Sequence, residues 1–514
     1  MRPTTVSQLL QTGADTAPAI LAPGRPALSY DALRKQMART AAALRGFGIG
    51  RNDRVAIVLP NGPEMATAFV SVAGCATSAP LNPAYRAEEF DFYLGDLKPK
   101  ALIVARGEEG PATQMARKRN IPVLALDTDA RLAAGVFDLI PESAEDEKAL
   151  ASRGVSADGA AETGDIALVL HTSGTTSRPK IVPLSVGNVC ASARHIGATL
   201  ALQPQDRCLN IMPLFHIHGL IAAVLSSLGA GASVVCTEGF NALNFFARLE
   251  EFKPSWYTAV PTMHQAILAR GERNREIAQR AHLRFIRSSS SSLPPQVMAA
   301  LEELFKAPVI EAYGMTEAAH QMASNPLPPR ARKPGSVGVA AGPEIAIMAD
   351  DGALLAAGVQ GEIVIRGPNV TAGYENNPTA NAEAFTHGWF RTGDLGTLDD
   401  EGYLAITGRK KEIINRGGEK ISPREVDEVL LDHPAVAQVV TFAVPHAKLG
   451  EDVAAAVVLK PDSEADEKAL RAFTAQRLAD FKVPRQILIL AELPKGATGK
   501  VQRIGLAQKL GLAK

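Results

Sequence analysis

Ile166-Ala-Leu-Val-Leu170, followed by His171-Thr-Ser-Gly-Thr-Thr-Ser-Arg-Pro-Lys180, is an apolar run of strand length that leads into a loop rich in hydroxyls. Gly174 lets the backbone approach an anion closely, because it has no side chain. The surrounding hydroxyl and backbone donors and the terminal cation are supplied by Thr172, Ser173, Thr175, Thr176 and Lys180. This combination predicts a loop that wraps the phosphates of a nucleotide.

The sequence does not favour either of two other nucleotide-binding loops, the Walker loop and the dinucleotide-binding loop. A Walker loop needs Gly-Lys followed by Ser or Thr, and that combination is absent from the sequence. Gly46-Phe-Gly-Ile-Gly50 follows a helix-like run, Asp31 to Leu44, which indicates a helix C-terminal turn and not a dinucleotide-binding loop. Since its composition also fits an ordinary surface turn, the loop at 166–180 does not by itself decide a function.

Length and composition limit the class of protein. A chain of 514 residues is too long for one core, which predicts two or more domains. Lys and Arg number 54 and Asp and Glu number 54, so no basic excess favours nucleic acid or an anionic membrane as a partner. Four widely spaced cysteines, no signal-peptide pattern and no Ser-Lys-Leu ending lead us to expect a reduced, cytoplasmic protein.

Strand-like and helical patterns alternate through the first half, which predicts an α/β fold of sheets covered by helices. From about 335 to 405, short strands separated by turns predict a small antiparallel sheet or barrel. A second boundary near Gly408 divides the chain into an N-terminal domain, 1–408, and a small, mobile α+β lid domain, 409–514.

Five motifs in order resemble the adenylate-forming superfamily, which includes acyl-CoA synthetases, adenylation domains and luciferases. The first is the loop ending at Lys180; the others are Tyr313-Gly-Met-Thr-Glu317, Phe390-Arg-Thr-Gly-Asp394, Gly408-Arg-Lys-Lys-Glu412 and Pro494-Lys-Gly-Ala-Thr-Gly-Lys500. The resemblance implies that ATP is split between its α- and β-phosphates. Mg²⁺ and coenzyme A are implied as the other cofactors.

Each motif has groups suited to that chemistry. Tyr313 offers a ring for base stacking, Thr316 a hydroxyl for the α-phosphate, and Glu317 a hard oxygen ligand for Mg²⁺. By the resemblance, Asp394, which follows Gly393 in an expected tight turn, accepts both ribose hydroxyls. Arg409 can donate to the same sugar or phosphate.

The lid is expected to supply the remaining groups. Lys500 has a compact charge on a long stem. It is predicted to stabilise the negative charge that builds up when a carboxylate attacks the α-phosphorus. By resemblance, Lys411 is the hinge about which the lid rotates after adenylation. Gly417 and Gly418 would then let a pantetheine arm pass, since neither has a side chain.

Three segments between and after these motifs are candidates for acid selection: Met212 to Gly219, Arg284 to Leu293 and Ala318 to Pro326. They offer hydrogen-bond donors instead of an apolar lining, which suits a short acid with a second carboxylate. They resemble the oxalate–CoA ligase branch of the superfamily. That likeness implies that Ser290 and His320 hold the distal carboxylate and that His216 lies near the acyl site, while His218 is left open between pocket and core.

The resulting hypothesis is an AMP-forming ligase that joins oxalate to CoA, with a small dicarboxylic acid, ATP and CoA as partners and no protein partner evident. Malonate as the acid and the loading of a carrier protein are the alternatives. A phosphotransferase that yields ADP and a nucleotide sensor without turnover are further rivals.

Overall fold

The computed structural model describes residues 3–172, 179–494 and 501–513. Helices and strands alternate through its first half, and the described residues form four sheets. The predicted α/β class, the antiparallel part and the small C-terminal α+β unit are confirmed. The division between residues 408 and 409 and the mobility of the lid stay predictions.

The sheet that carries the candidate phosphate loop has seven strands in the described part of the chain. Its five central strands are parallel, while each outer strand runs antiparallel to its neighbour. In spatial order the strands are Asp138–Pro141, Val123–Asp127, Ala101–Ala105, Arg54–Val58, Thr77–Pro80, Ile166–His171 and Ile181–Ser185. The loop therefore connects the last two strands, at one edge of the sheet.

A second sheet has nine strands, mostly parallel, and supplies the acid-selection segments. In spatial order these are Val339–Ala340, His320–Ser324, Val309–Met315, Phe285–Ser288, Trp256–Ala259, Arg207–Asn210, Ser233–Cys236, Pro18–Leu21 and Leu28–Ser29. Its central strands are buried along their length, as is usual for parallel strands covered on both faces. The carboxyl ends of two adjacent strands, at Ala259 and Ser288, lie beside Glu311 of the next strand.

The other two sheets are smaller. The antiparallel one contains Glu344–Met348, Gly361–Arg366, Phe385–Thr386, Trp389–Leu398 and Leu404–Arg409. The C-terminal one contains Ile414–Arg416, Glu419–Ile421, Val436–His446, Gly450–Leu459 and Gln486–Ile489. Val436–His446, Gly450–Leu459 and Gln486–Ile489 contribute apolar residues to two separate small cores, whereas the two short strands contribute to one of them.

Helices begin where the sequence offers a proline or a capping hydroxyl. Six start with proline, which fits the first helical turn because its missing N–H would have no helical partner there. Ser185 caps the helix that follows it, since its Oγ accepts the Asn188 N–H at 3.0 Å. The α-helices are Val6–Leu9, Tyr30–Gly46, Pro63–Ala73, Ala87–Leu97, Pro111–Lys118, Ala144–Ala151, Val186–Thr199, Ser226–Gly229, Phe245–Phe252, Pro261–Leu268, Arg275–Arg280, Pro295–Phe305, Pro378–Ala384, Pro423–Leu431, Glu467–Ala475 and Leu506–Lys509.

Two local predictions were wrong. The sequence from about Ala465 to Phe481 predicts one helix, but that helix ends at Ala475, and a separate turn, Asp480–Lys482, follows. Leu478 and Phe481 still pack against the C-terminal core from outside the helix, which explains why the apolar pattern continues past its end. Asp394 lies inside the strand Trp389–Leu398 and not in a tight turn. A register shift in that strand and the positive φ of 75° at Gly393 produce a bulge there instead.

Within the three described ranges, no helix combines the length and apolar character that crossing a membrane requires. The cytoplasmic location stays a prediction.

Candidate active site

Residues from three sequence motifs meet at the carboxylate of Asp394. Asp394 and Arg409 face each other across paired strands, and Arg409 Nε donates to Asp394 Oδ1 at 2.6 Å. The Tyr313 hydroxyl, at the end of the strand Val309–Met315, donates to Asp394 Oδ2. Asp394 is buried while about half of the Arg409 side chain is exposed, so the arginine end of the pair is open to solvent. This arrangement brings together the candidates for base stacking, ribose binding and phosphate binding.

A second group of residues links the phosphate loop to the candidate metal ligand. Glu317 lies in the short turn Thr316–Ala318 and accepts a hydrogen bond from the Tyr374 hydroxyl at 2.8 Å. The Lys180 ammonium lies 4.3 Å from the centre of the Tyr374 ring. Burial raises the pKa of Glu317, and the charges of Arg409 and Lys180 partly oppose that rise. Tyr374 was not predicted, since a tyrosine in a loop carries no periodic signal.

The base of the phosphate loop is closed by two hydrogen bonds. The Thr172 N–H donates to the Lys180 carbonyl at 2.9 Å, and the Lys180 N–H donates to Thr172 Oγ1 at 3.1 Å. The strands on either side continue this pairing, with His171 opposite Ile181. The other predicted loop residues, Ser173, Gly174, Thr175 and Thr176, lie outside the described residues, as does Lys500.

The candidate acyl site is built around His218. Its Nδ1 lies 3.1 Å from Ser290 Oγ, its Nε2 lies 2.6 Å from Thr258 Oγ1, and its ring centre is 4.8 Å from that of His320. Arg287 Nη1 approaches His218 Nε2 at 3.4 Å. Because arginine can only donate, Nε2 is the acceptor, which places the proton of a neutral imidazole on Nδ1, where it faces Ser290. His218 is thus fully buried and in contact with the predicted acid-binding residue Ser290.

Arg287 is the group in this site that the sequence analysis missed. Its side chain is 0% exposed, and among the described residues no carboxylate lies within ion-pair distance. Its Nη2 donates to Gln321 Oε1 at 3.3 Å, and its Nε has no hydrogen-bond partner. Burial lowers the pKa of Arg287 to about 9, so the guanidinium is still charged at neutral pH. A buried cation without an opposite charge is costly, so a bound anion would stabilise the guanidinium here.

Two of the predicted acid-binding residues have unusual backbones. Ser290 has a φ of 76° and His320 a φ of 100°, in the left-handed region that non-glycine residues rarely occupy. Such conformations concentrate at ligand sites, where the surrounding structure maintains them. Both side chains lie close to His218, in agreement with a shared pocket.

The histidine segment differs from its prediction. The sequence from Met212 to Gly219 predicts a turn that ends at the glycine, but a π-helical segment, His218–Leu225, begins there and Gly219 lies inside it. A side chain at Gly219 would come within 2.4 Å of the Pro213 carbonyl, so glycine is needed here for close packing and not for a turn. His216 lies before this helix, where its Nδ1 accepts the His218 N–H at 3.3 Å.

The predicted hinge residue, Lys411, is exposed in the turn Lys410–Glu412. Its neighbours are anchored on opposite sides: Lys410 Nζ donates to Asp350 and Glu362 at 2.7 and 3.1 Å, and Glu412 pairs with Arg503 at 3.1 Å. The chain on either side of Lys411 is thus fixed to different units. Gly417 and Gly418, with φ of 62° and 102°, form the exposed hairpin turn between Ile414–Arg416 and Glu419–Ile421.

Glu311, two residues before Tyr313, provides a prediction on pH and stability. It is buried, its Oε1 accepts the Leu293 N–H at 3.0 Å, and burial raises its pKa from 4.5 to about 7. Arg424 opposes that rise and Glu428 reinforces it. A carboxyl whose pKa is higher in the folded state stabilises the fold below its unfolded pKa and loses that contribution as the pH rises through about 7.

Glu311→Gln keeps the acceptor oxygen but cannot ionise. We expect its melting temperature to exceed that of the wild type at pH 8.5 and to match it near pH 4.5, with a free-energy difference of at most roughly 3 kcal/mol. Differential scanning fluorimetry across pH 4.5–9 measures this. Glu303→Gln, at an exposed position, is the control. A Glu311→Gln effect of equal size at all pH values would contradict the assignment.

Comparisons with known proteins agree with this geometry. The family described as AMP-binding enzyme matches residues 11–375, and the AMP-binding enzyme C-terminal domain matches residues 425–500. The chain is 46% identical to oxalate–CoA ligase of Arabidopsis thaliana, with 98% of each chain covered. It is 43% identical to oxalate–CoA ligase of Saccharomyces cerevisiae, over 89% of this chain and 87% of that one.

Among solved structures, ATP-bound MatB from Rhodopseudomonas palustris superposes with a TM-score of 0.87 at 28% identity, with 98% of each chain covered. These matches confirm the predicted superfamily and its ligase branch. They do not test the individual site residues, whose roles stay predictions.

Proposed function

Because the chain belongs to the AMP-binding enzyme family, we propose that it is an ATP-dependent acid–CoA ligase that converts oxalate to oxalyl-CoA and releases AMP and pyrophosphate. The observation that carries the choice of acid is Arg287, a fully buried cation beside His218 and Ser290 with no described carboxylate partner. Two relatives of known name, at 46% and 43% identity, are oxalate–CoA ligases, which supports the same choice.

The distal carboxylate of a short diacid would supply the charge that Arg287 lacks. In a buried site a charge-assisted pair of this kind is far stronger than in water, and an acid without the second charge would leave the cation unpaired. Ser290 Oγ accepts a hydrogen bond from His218 and can still donate its own hydroxyl proton in a hydrogen bond to the ligand. His320, beside His218, closes the same end of the pocket.

In the first step, a carboxylate oxygen forms a bond to the α-phosphorus while the bond to the bridging oxygen breaks and pyrophosphate leaves. Tyr313 would stack on the base, Asp394 and Arg409 would hold the ribose, and Lys180 and Thr316 would bind phosphate oxygens. The phosphate-loop residues and Lys500 complete this set. Positioning and charge stabilisation are what this chemistry requires.

Glu317 fits a role in holding Mg²⁺. It is a buried carboxylate near Lys180, and the described residues contain no group of three or more potential ligands that could form a separate metal site. Glu317 would therefore share the ion with phosphate oxygens, as is usual for Mg²⁺. When bound, Mg²⁺ neutralises charge on the phosphates.

In the second step, the CoA thiolate attacks the acyl carbon and the bond to AMP breaks. Rotation about Lys411 would remove Lys500 from the adenylate and bring the turn with Gly417 and Gly418 toward it. Both glycines are exposed and add no side chain of their own, and the space beside Gly418 is open, so a pantetheine arm could pass there. Malonate and a carrier protein are the alternative acid and acceptor.

The experiment that tests the proposal is an acid panel on the purified protein with Mg²⁺ and ATP. Pyrophosphate exchange into ATP is measured with oxalate, malonate, glyoxylate and acetate, and product formation is measured with free CoA. We expect oxalate to give the highest kcat/KM, AMP and not ADP, and a thioester with free CoA. Faster turnover of malonate than of oxalate would identify malonate as the acid. Pyrophosphate exchange without thioester formation would favour the loading of a carrier protein. The absence of any acid-dependent exchange would refute the proposal.

A further inference from the structure

Tyr374 contacts two predicted reaction groups at once. Its hydroxyl donates to Glu317 Oε1 at 2.8 Å, and its ring lies under the Lys180 ammonium, 4.3 Å from the ring centre to Nζ. The tyrosine itself is 9% exposed, so both contacts are made by a nearly buried residue. It thus bridges the turn that carries the candidate metal ligand and the end of the phosphate loop.

The backbone around Tyr374 is fixed independently of these contacts. Asn381 accepts the Tyr374 N–H at 2.7 Å and donates to its carbonyl at 2.8 Å. The Thr371 N–H donates to the Glu317 carbonyl at 2.7 Å, and the Glu375 N–H donates to the Ile181 carbonyl at 3.1 Å. The segment 371–375 is therefore bonded both to the Glu317 turn and to the strand that follows Lys180.

Both contacts favour the charged forms that phosphate chemistry requires. The Tyr374 hydroxyl donates to the buried Glu317 carboxylate, and a hydrogen bond of this kind stabilises the ionised form. The negative face of an aromatic ring attracts an ammonium and restricts its position. Without the tyrosine, the Glu317 carboxylate loses a hydrogen-bond donor and the Lys180 ammonium loses the aromatic ring beneath it.

We propose that Tyr374 is a positioning residue for adenylate formation: its hydroxyl orients the Glu317 carboxylate toward Mg²⁺, and its ring places the Lys180 ammonium against the nucleotide phosphates. This inference rests on the proposed ATP-dependent activity but not on the identity of the acid. It separates the contributions of hydroxyl and ring, which two substitutions can distinguish.

Isothermal titration calorimetry of ATP, with Mg²⁺ and with EDTA, measures these contributions without turnover. For Tyr374→Phe we expect ATP affinity to fall about tenfold with Mg²⁺, as for the loss of a hydrogen bond to a charged group, and to stay unchanged in EDTA. For Tyr374→Leu we expect a further loss of about threefold that is present in EDTA as well, because the ring under Lys180 is gone.

Tyr403→Phe is the matched control. The Tyr403 hydroxyl donates to the Ala331 carbonyl at 2.6 Å, and Lys333 Nζ lies 4.2 Å from the Tyr403 ring centre. The substitution therefore removes an equivalent tyrosine hydroxyl that does not contact Glu317. We expect it to bind ATP as the wild type does under both conditions. Equal affinity losses with and without Mg²⁺ in Tyr374→Phe, or no loss at all, would overturn the proposal. Because no acid is present in this titration, failure of oxalate as a substrate would leave its outcome unaffected.

Discussion

Lys500→Ala should lower the rate of adenylate formation by about 10²- to 10³-fold, the usual cost of losing one group that stabilises transition-state charge. The same substitution should leave thioester formation from supplied acyl-adenylate within about threefold of the wild type, since that step needs the lid in another position. Pyrophosphate exchange measures the first half-reaction, and thioester yield after mixing with CoA measures the second.

Lys509→Ala controls for the loss of a lid cation. Lys509 is exposed at the end of the helix Leu506–Lys509, and no described acidic side chain forms an ion pair with it. It should retain both half-reactions. Equal losses of both half-reactions in Lys500→Ala would contradict a lysine that acts in only one position of the lid.

The residues proposed for the nucleotide end belong to local motifs, which is why the sequence alone could single them out. Tyr313 and Arg409 lie at strand ends and Asp394 lies at a bulge, so short segments fix each side chain. Only the topology shows that these segments meet, since Tyr313 and Asp394 are 81 positions apart in the chain. The order of the five motifs, which resembles that of the superfamily, already implies that these segments meet.

The acid end was only partly predictable. In the strand Phe285–Ser288, a single arginine between apolar and hydroxyl residues looks like an exposed position of an alternating strand. Its burial follows from the neighbouring strand, which pairs Arg287 with Ile310, and from the π-helical segment that places His218 against it. Neither relation appears in the local sequence.

Arg287→Met should lower kcat/KM for oxalate by about two to three orders of magnitude, because a buried charge pair that loses one partner costs about 3–5 kcal/mol. Glyoxylate has nearly the shape of oxalate but lacks the distal charge, so its kcat/KM should fall far less. The ratio of the two kcat/KM values, measured on wild type and variant, reports on the charge contact alone. A restored preference for oxalate in Arg287→Lys would show that the charge itself is needed.

The same substitution should stabilise the ligand-free protein. Arg287 is fully buried without a described carboxylate, whereas a methionine of similar length has no charge to desolvate, so the melting temperature of Arg287→Met should rise as its activity falls. Arg284→Met is the control: Arg284 is 37% exposed and pairs with Asp206, so its loss should change stability but not the oxalate-to-glyoxylate ratio. Parallel losses of oxalate and glyoxylate turnover in Arg287→Met, together with a lower melting temperature, would show that Arg287 supports the fold and does not select the acid.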